Sequence, residues 1–152
     1  MRRSILTLVT LTSLCQIGPA LAQESWRLIS DIDLVESEKD GIWRVDKTIP
    51  TALQDRAQDF SITGYAVPIM AQPYIQQFLL VEDPDDCPFC GDSGYGPSLE
   101  VTLRRSLPTL AEGTEVSVTG TLEFDMSPET YQTVRLKDAV ITRSVEQAPH
   151  NN

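Results

Sequence analysis

The chain predicts a mostly β fold, a small five-stranded antiparallel OB-like barrel with one short helix. Three observations lead there. Five segments after residue 59 carry strand patterning, glycines fall inside two of them, and the best helix candidate lies in the first half. A sheet that closes on so few strands must bend sharply, and residues without Cβ are where it can do so. Another small β-barrel or a sandwich is the alternative architecture.

The first residues read as an export signal. Met1-Arg2-Arg3 is a charged start, residues 5–14 form a short apolar run, Pro19 breaks it, and Ala20-Leu21-Ala22 is a small-x-small cleavage site before Gln23. Residues 1–22 are therefore expected to be removed, leaving a periplasmic or secreted protein. The run is too short and too interrupted to span a bilayer, so no membrane insertion is expected after cleavage. Cys15 lacks the lipoprotein context, since Thr12 and Leu14 stand where an apolar and a small residue are wanted. Arg2-Arg3 loosely resembles a twin-arginine signal, but paired arginines also start ordinary signals.

"SWRLISDIDLVE" (25–36) has two readings. Trp26, Leu28, Ile32 and Leu34 fit a period of two, and Trp26 to Ile29 fits a helical turn equally well. Asp40-Gly41 signals a turn, and "IWRVDKTIP" (42–50) follows as an extended piece. "TALQDRAQ" (51–58) is the helix candidate, about two turns long, with Thr51 as its cap.

Strand signals follow. "DFSITGYAVPIM" (59–70) alternates Phe60 and Ile62, then meets Gly64, where a bulge or close backbone approach fits, and Pro68, which marks an edge or bend. "QFLLVE" (77–82) is nearly continuous in apolar residues, as a central strand would be. "SLEVTL" (98–103) and "TEVSVTGTLEF" (114–124) alternate cleanly, with Gly113 as a turn. "TVRLKDAVITR" (133–143) alternates through Leu136, slips phase at Lys137-Asp138 and resumes at Ala139, the mark of a bulge. Residues 23–145 thus form one domain, and 146–152 a loose polar tail.

Charge excludes several partners. The chain has 22 acidic and 12 basic residues, and losing Arg2 and Arg3 with the signal takes the net charge from −10 to about −12. Nucleic-acid binding needs a basic footprint that is missing, and an anionic membrane surface would repel the chain. His150, the lone histidine, sits in the tail, so no serine or cysteine triad can be assembled. The carboxylates of Asp31-Ile32-Asp33 and Glu36-Ser37-Glu38 fit the solvated face of a strand. Gly94-Tyr95-Gly96-Pro97 lacks the helix a phosphate loop requires. Trp26, Trp43, Tyr65 and Phe124 are expected in the core, while Tyr74, Phe89 and Tyr95 could line a surface near the cysteines. The chain is not expected to be an enzyme.

The residues that carry distinctive chemistry are in "DPDDCPFCGDSGYGP" (83–97). Signal cleavage leaves Cys87 and Cys90 as the mature thiols, in a connection long enough to suggest function. A thioredoxin-type pair needs a helix start to acidify its first thiol. Gly91, Gly94, Gly96 and Pro97 forbid that helix, and Asp83, Asp85, Asp86 and Asp92 push thiol pKa values the other way. Thiol–disulfide exchange is thus the weakest reading. A Cys87–Cys90 disulfide is expected in an oxidising compartment, but so small a loop contributes only about 2 kcal/mol. Alternatively, both thiolates hold a soft metal ion: zinc with carboxylates from Asp86 and Asp92 (or Asp85) completing the set, or copper(I), which needs fewer ligands.

Gly64-Tyr65-Ala66-Val67-Pro68, Phe78-Leu79-Leu80-Val81, Cys87-Pro88-Phe89-Cys90 and Val116-Ser117-Val118-Thr119-Gly120-Thr121-Leu122 occur in that order. The pattern resembles a group of short secreted bacterial proteins of unknown function, OB-like envelope proteins, over roughly residues 26–145. The resemblance implies neighbours among envelope transporters or metal-handling proteins, which tips the balance toward the metal. Relatives often place a histidine or a proline-rich run after the first cysteine. This chain does not, so a histidine-based ligand set does not carry over. The expectation is a periplasmic, non-enzymatic binding or accessory protein with a cysteine loop for zinc or copper.

Overall fold

A computed structural model describes residues 18–69, 73–84 and 97–145, with side chains from residue 23. The described residues begin with helix α1 (Gly18–Ser30), followed by the hairpin β1 (Asp33–Lys39) and β2 (Ile42–Thr48), and a single turn α2 (Thr51–Gln54). Five barrel strands follow: β3 (Phe60–Pro68), β4 (Ile75–Val81), β5 (Ser98–Leu107), β6 (Thr114–Phe124) and β7 (Val134–Val145). No helix among the described residues is long and apolar enough to cross a membrane.

The ambiguous stretch resolves into two elements. Ser25, Leu28 and Ile29 recur at helical spacing and are buried together with Trp26, so the period is 3.6 up to Ser30. Beyond Ile32 it becomes strand β1, so the period of two applies to Leu34 but not to Trp26 and Leu28. Pro19 sits in the first turn of α1, where its missing N–H breaks no helical bond. The expected single helix is therefore joined by a longer one. In α2, Thr51 is the first helical residue and not the cap: Pro50 precedes it with an extended ψ of 135°, and no side chain caps the turn. The helix stops after one turn, short of the two expected, and Asp59 (φ 54°) redirects the chain into β3. Asp40 and Gly41 both have positive φ, the geometry of a two-residue hairpin turn matched to strand twist.

The barrel order is β3-β4-β5-β7-β6, closed by pairing of β6 with β3. The expected five strands close, but the barrel is mixed, not antiparallel, because β5 and β7 run parallel. Parity explains the correction. Strands of alternating direction return to the starting direction only when their number is even, so a ring of five must contain a parallel neighbour. The chain places it where β7, returning from β6, fills the gap beside β5.

The interior is filled by side chains, with Phe78, Leu80, Leu99, Val101, Val116, Val118 and Leu136 fully buried. Gly64 and Gly120 face inward to that core where neighbouring backbone comes close. A Cβ on Gly64 would lie 2.4 Å from the Val81 carbonyl, and one on Gly120 would lie 2.6 Å from that of Lys137. Gly64 is thus a point of close approach, one of the two roles expected for it. The phase slip in β7 is a bulge: Thr119 pairs with Val140 and Thr121 with Lys137, leaving Asp138 extra at φ 51°.

Ladder pairing stops short at two seams. Between β3 and β4 it covers Tyr65 to Pro68 but not residues 60–64. There α1 supplies what β4 does not: Ser25 Oγ donates to the Ser61 carbonyl (2.8 Å) and Trp26 Nε1 to that of Thr63 (2.7 Å). Backbone carbonyls in a half-buried setting need such partners. Between β5 and β7 pairing ends at Leu103 and Ala139, and among the described residues α1 packs chiefly on β3 and not there.

Candidate functional site

The connection from β4 to β5 leaves from the paired residues Val81 and Ser98, so both of its ends are fixed on adjacent barrel strands. Cys87, Cys90, Asp86 and Asp92, with Asp85, Phe89 and Tyr95, lie outside the described residues. Among the described residues no group of three histidines, cysteines or carboxylates is placed to hold a metal ion. Beside the start of this connection, Glu82 and the α1 residues Gln23, Glu24, Arg27 and Ser30 line a shallow polar recess of about 540 Å³. Tyr74 does not join this end. It precedes β4, is 61 % exposed, and sits at the opposite pole, where β3 hands over to β4.

The same pole as the cysteine connection carries the loop from β6 to β7, which fastens the hairpin. Lys47 Nζ donates to the carbonyls of Asp125 (2.9 Å) and Gln132 (2.5 Å), and the Val45 N–H donates to Pro128 (2.8 Å). Beneath it, Gln132 Nε2 donates to Glu100 (2.7 Å) and Arg135 Nη2 to Gln132 Oε1 (2.7 Å). Asp125 and Glu100 stand 3.5 and 3.6 Å from the same guanidinium. Most of the polar groups are taken up by one another, although the buried Arg135 Nε has no hydrogen-bond partner and only the Glu100 carboxylate at 3.6 Å. The cluster works as a latch between β2, β5 and β7. A two-stranded ribbon alone is marginal in water, and the latch is what holds it.

On the latch side of the hairpin, Trp43 meets Tyr131 at a ring separation of 5.0 Å. Trp43 is 38 % exposed, so its expected place in the core is corrected: the ring lies against the loop, outside the barrel. Trp26 is buried as expected, and Phe124 packs against the core. Glu36 was expected to be merely solvated, but it accepts from Trp43 Nε1 (3.5 Å) and from the Tyr131 hydroxyl. That hydrogen bond first, then desolvation and the nearby charge, holds the Tyr131 pKa above its ordinary value of 10.0. A phenol whose folded pKa is raised stabilises the docked hairpin fully below pH 10 and ceases to as pH climbs through the folded value. Glu36→Ala is expected to bring Tyr131 down toward pH 10. Tyrosinate absorbance titrations of the two proteins would show it, and superimposable curves would refute it.

A third surface was not foreseen. Leu103, Leu107, Ala139, Val140 and Ile141, with Arg104 and Arg105, line a groove of about 330 Å³ along the β5–β7 seam. Its sequence signal, two adjacent arginines at the end of an alternating strand, was present but does not by itself mark a seam.

The fold and its surfaces define a small mixed β-barrel with an N-terminal helix and an appended hairpin. Comparison with protein-family models, curated protein sequences and solved structures gives no match for the chain.

Proposed function

We propose that this is an exported, non-enzymatic binding or accessory protein on an OB-type barrel, whose Cys87-x-x-Cys90 loop holds a soft metal ion, zinc or copper. The strand order supports the OB assignment. Numbering the barrel strands alone from one to five gives 1-2-3-5-4, with strand 1 closing onto strand 4 and the parallel pair between 3 and 5. A packed interior leaves function to the surface, and loops on a rigid barrel are where binding residues concentrate.

The observation that carries the loop reading is its mounting. Residues 82–97 are flanked by Val81 and Ser98, which pair on two adjacent strands, and Cys87 and Cys90 fall near the middle of that stretch of sequence. Two thiolates three residues apart favour a soft cation, and the aspartates around them add negative charge. The neighbours implied by the resemblance, envelope transporters or metal-handling proteins, are the partners this role would have.

A Cys87–Cys90 disulfide in a protein-interaction module is the second reading, and thiol–disulfide exchange the third. Purified under reducing conditions, the protein is expected to retain about one zinc or copper ion per chain, and Cys87→Ser to lose nearly all of it. Metal analysis decides: equal, substoichiometric metal in both proteins overturns the metal reading. Absence of free thiols in the exported protein would then favour the disulfide.

A further inference from the structure

The two seams of the barrel are treated differently. At the β3–β4 seam, α1 covers the unpaired part of β3 and satisfies two of its carbonyls. At the β5–β7 seam pairing ends at Leu103 and Ala139, while β7 runs on to Val145 paired only with β6. Among the described residues, the side of β7 that faces β5 therefore has no partner strand from Val140 onward. Beside it β5 is displaced, since its ladder with β4 skips from Thr102 to Leu107.

The groove between these edges has an apolar floor and a basic rim. Leu103, Leu107 and Ile141 line it, and Val140 is 43 % exposed within it. Arg104 and Arg105 stand on the rim, whereas Arg143, beyond a register shift that sets Ile141 opposite Val118 and Arg143 opposite Ser117, lies outside the groove. Neither Arg104 nor Arg105 takes part in an ion pair among the described residues. Arg56, Arg135 and Lys137 each have a carboxylate and Lys47 has two carbonyls, while Arg27, Arg44 and Lys39 also lack an ion pair among the described residues. What marks the seam is two such arginines side by side in one groove. In a chain with 22 acidic residues, Arg104 and Arg105 side by side on one open seam are a local reversal of charge.

We propose that the β5–β7 seam is a docking groove for an extended, acidic segment of a partner polypeptide. The segment lies along β7 as an added strand, exchanging backbone hydrogen bonds with the side of β7 that faces β5. Its alternate side chains contact Leu107, Val140 and Ile141, and its carboxylates meet Arg104 and Arg105. Strand addition draws affinity from the main chain and specificity from the flanking side chains. The overall negative charge of the protein makes the local arginines, and not long-range attraction, the source of selection for acid. This surface is separate from the cysteine connection, which leaves the barrel at the other pole, and stands whether or not that loop binds metal.

The test uses three labelled nonapeptides: alternating glutamate and valine, alternating lysine and valine, and the acidic peptide with alternate amides N-methylated. Fluorescence anisotropy is expected to show binding of the first, weakened by salt, and not of the other two. The double variant Arg104→Glu/Arg105→Glu, whose side chains are exposed, is expected to bind the acidic peptide about tenfold more weakly with an unchanged melting curve. Amide shift changes should map to residues 104–107 and 140–143. Equal binding of the lysine or N-methylated peptide, insensitivity to the double variant, shifts elsewhere, or no binding of the acidic peptide each overturn the proposal. Sedimentation that shows a dimer dissociated by the double variant overturns the assignment to a partner, since a second copy would then fill the seam.

Discussion

Trp26→Ala is expected to cost the fold about 3–5 kcal/mol, the range for removing a large aromatic side chain from a core. Trp26 is among the largest fully buried side chains and packs with Leu28, Ile29 and Leu53 into the same cluster as the barrel interior. Its indole N–H also satisfies the Thr63 carbonyl where β4 does not reach, so alanine leaves a cavity and an orphaned acceptor together. For a domain of this size the melting temperature should fall by roughly 10–20 °C. Trp26→Phe separates the two contributions. It keeps most of the packing and loses the hydrogen bond, and about 1–2 kcal/mol is expected. Denaturant melts of the three proteins check this, and a Trp26→Ala variant as stable as the parent would mean that α1 does not close the seam.

Much of the barrel was legible because strand alternation and its interruptions have local causes. The phase slip at Lys137-Asp138 could be read as a bulge since inward side chains must resume on the core face, and the register shift at Asp138 is there. The turn at Asp40-Gly41 follows from the positive φ that these residue types tolerate. What was not legible is set by partners distant in sequence. Trp43 reads as a core residue in a strand. Only the loop bearing Tyr131, almost ninety residues on, decides that it packs outside the barrel. The length of α1 was hidden for a related reason. Its buried face is spelled by Trp26, Leu28 and Ile29, too few positions to separate a period of two from one of 3.6. Strand direction was hidden by habit: local patterning cannot tell a parallel neighbour from an antiparallel one, although the parity of a closed five-strand ring could have. The cysteine loop stays where sequence chemistry leaves it, between two fixed strand ends. The β5–β7 groove needed the register of three strands before Arg104 and Arg105 acquired a meaning.

Gly64→Ala is the second large effect, and it is steric. The added Cβ would stand 2.4 Å from the Val81 carbonyl oxygen, 2.9 Å from Trp26 Cζ2 and 3.0 Å from Leu80 Cγ. The nearest of these is backbone of the paired neighbour strand, which cannot turn aside as a side chain can. Relief requires β3 and β4 to separate next to Tyr65 and Val81, where their ladder begins. Overpacking of this kind costs about 3 kcal/mol or more when the backbone must move. Gly41→Ala supplies the contrast. Gly41 has φ +74° and nothing within 4 Å of its would-be Cβ, so its cost is conformational alone, about 1 kcal/mol. Gly64 carries no such positive φ, so a large loss there cannot be assigned to backbone strain. Combining Gly64→Ala with Trp26→Phe should recover only part of the loss, because the smaller ring relieves the indole contact and leaves the carbonyl where it is. Full recovery in the double variant would mean that the helix and not β4 sets the limit at Gly64. A Gly64→Ala melt that matches the parent would mean that the two strands do not approach this closely.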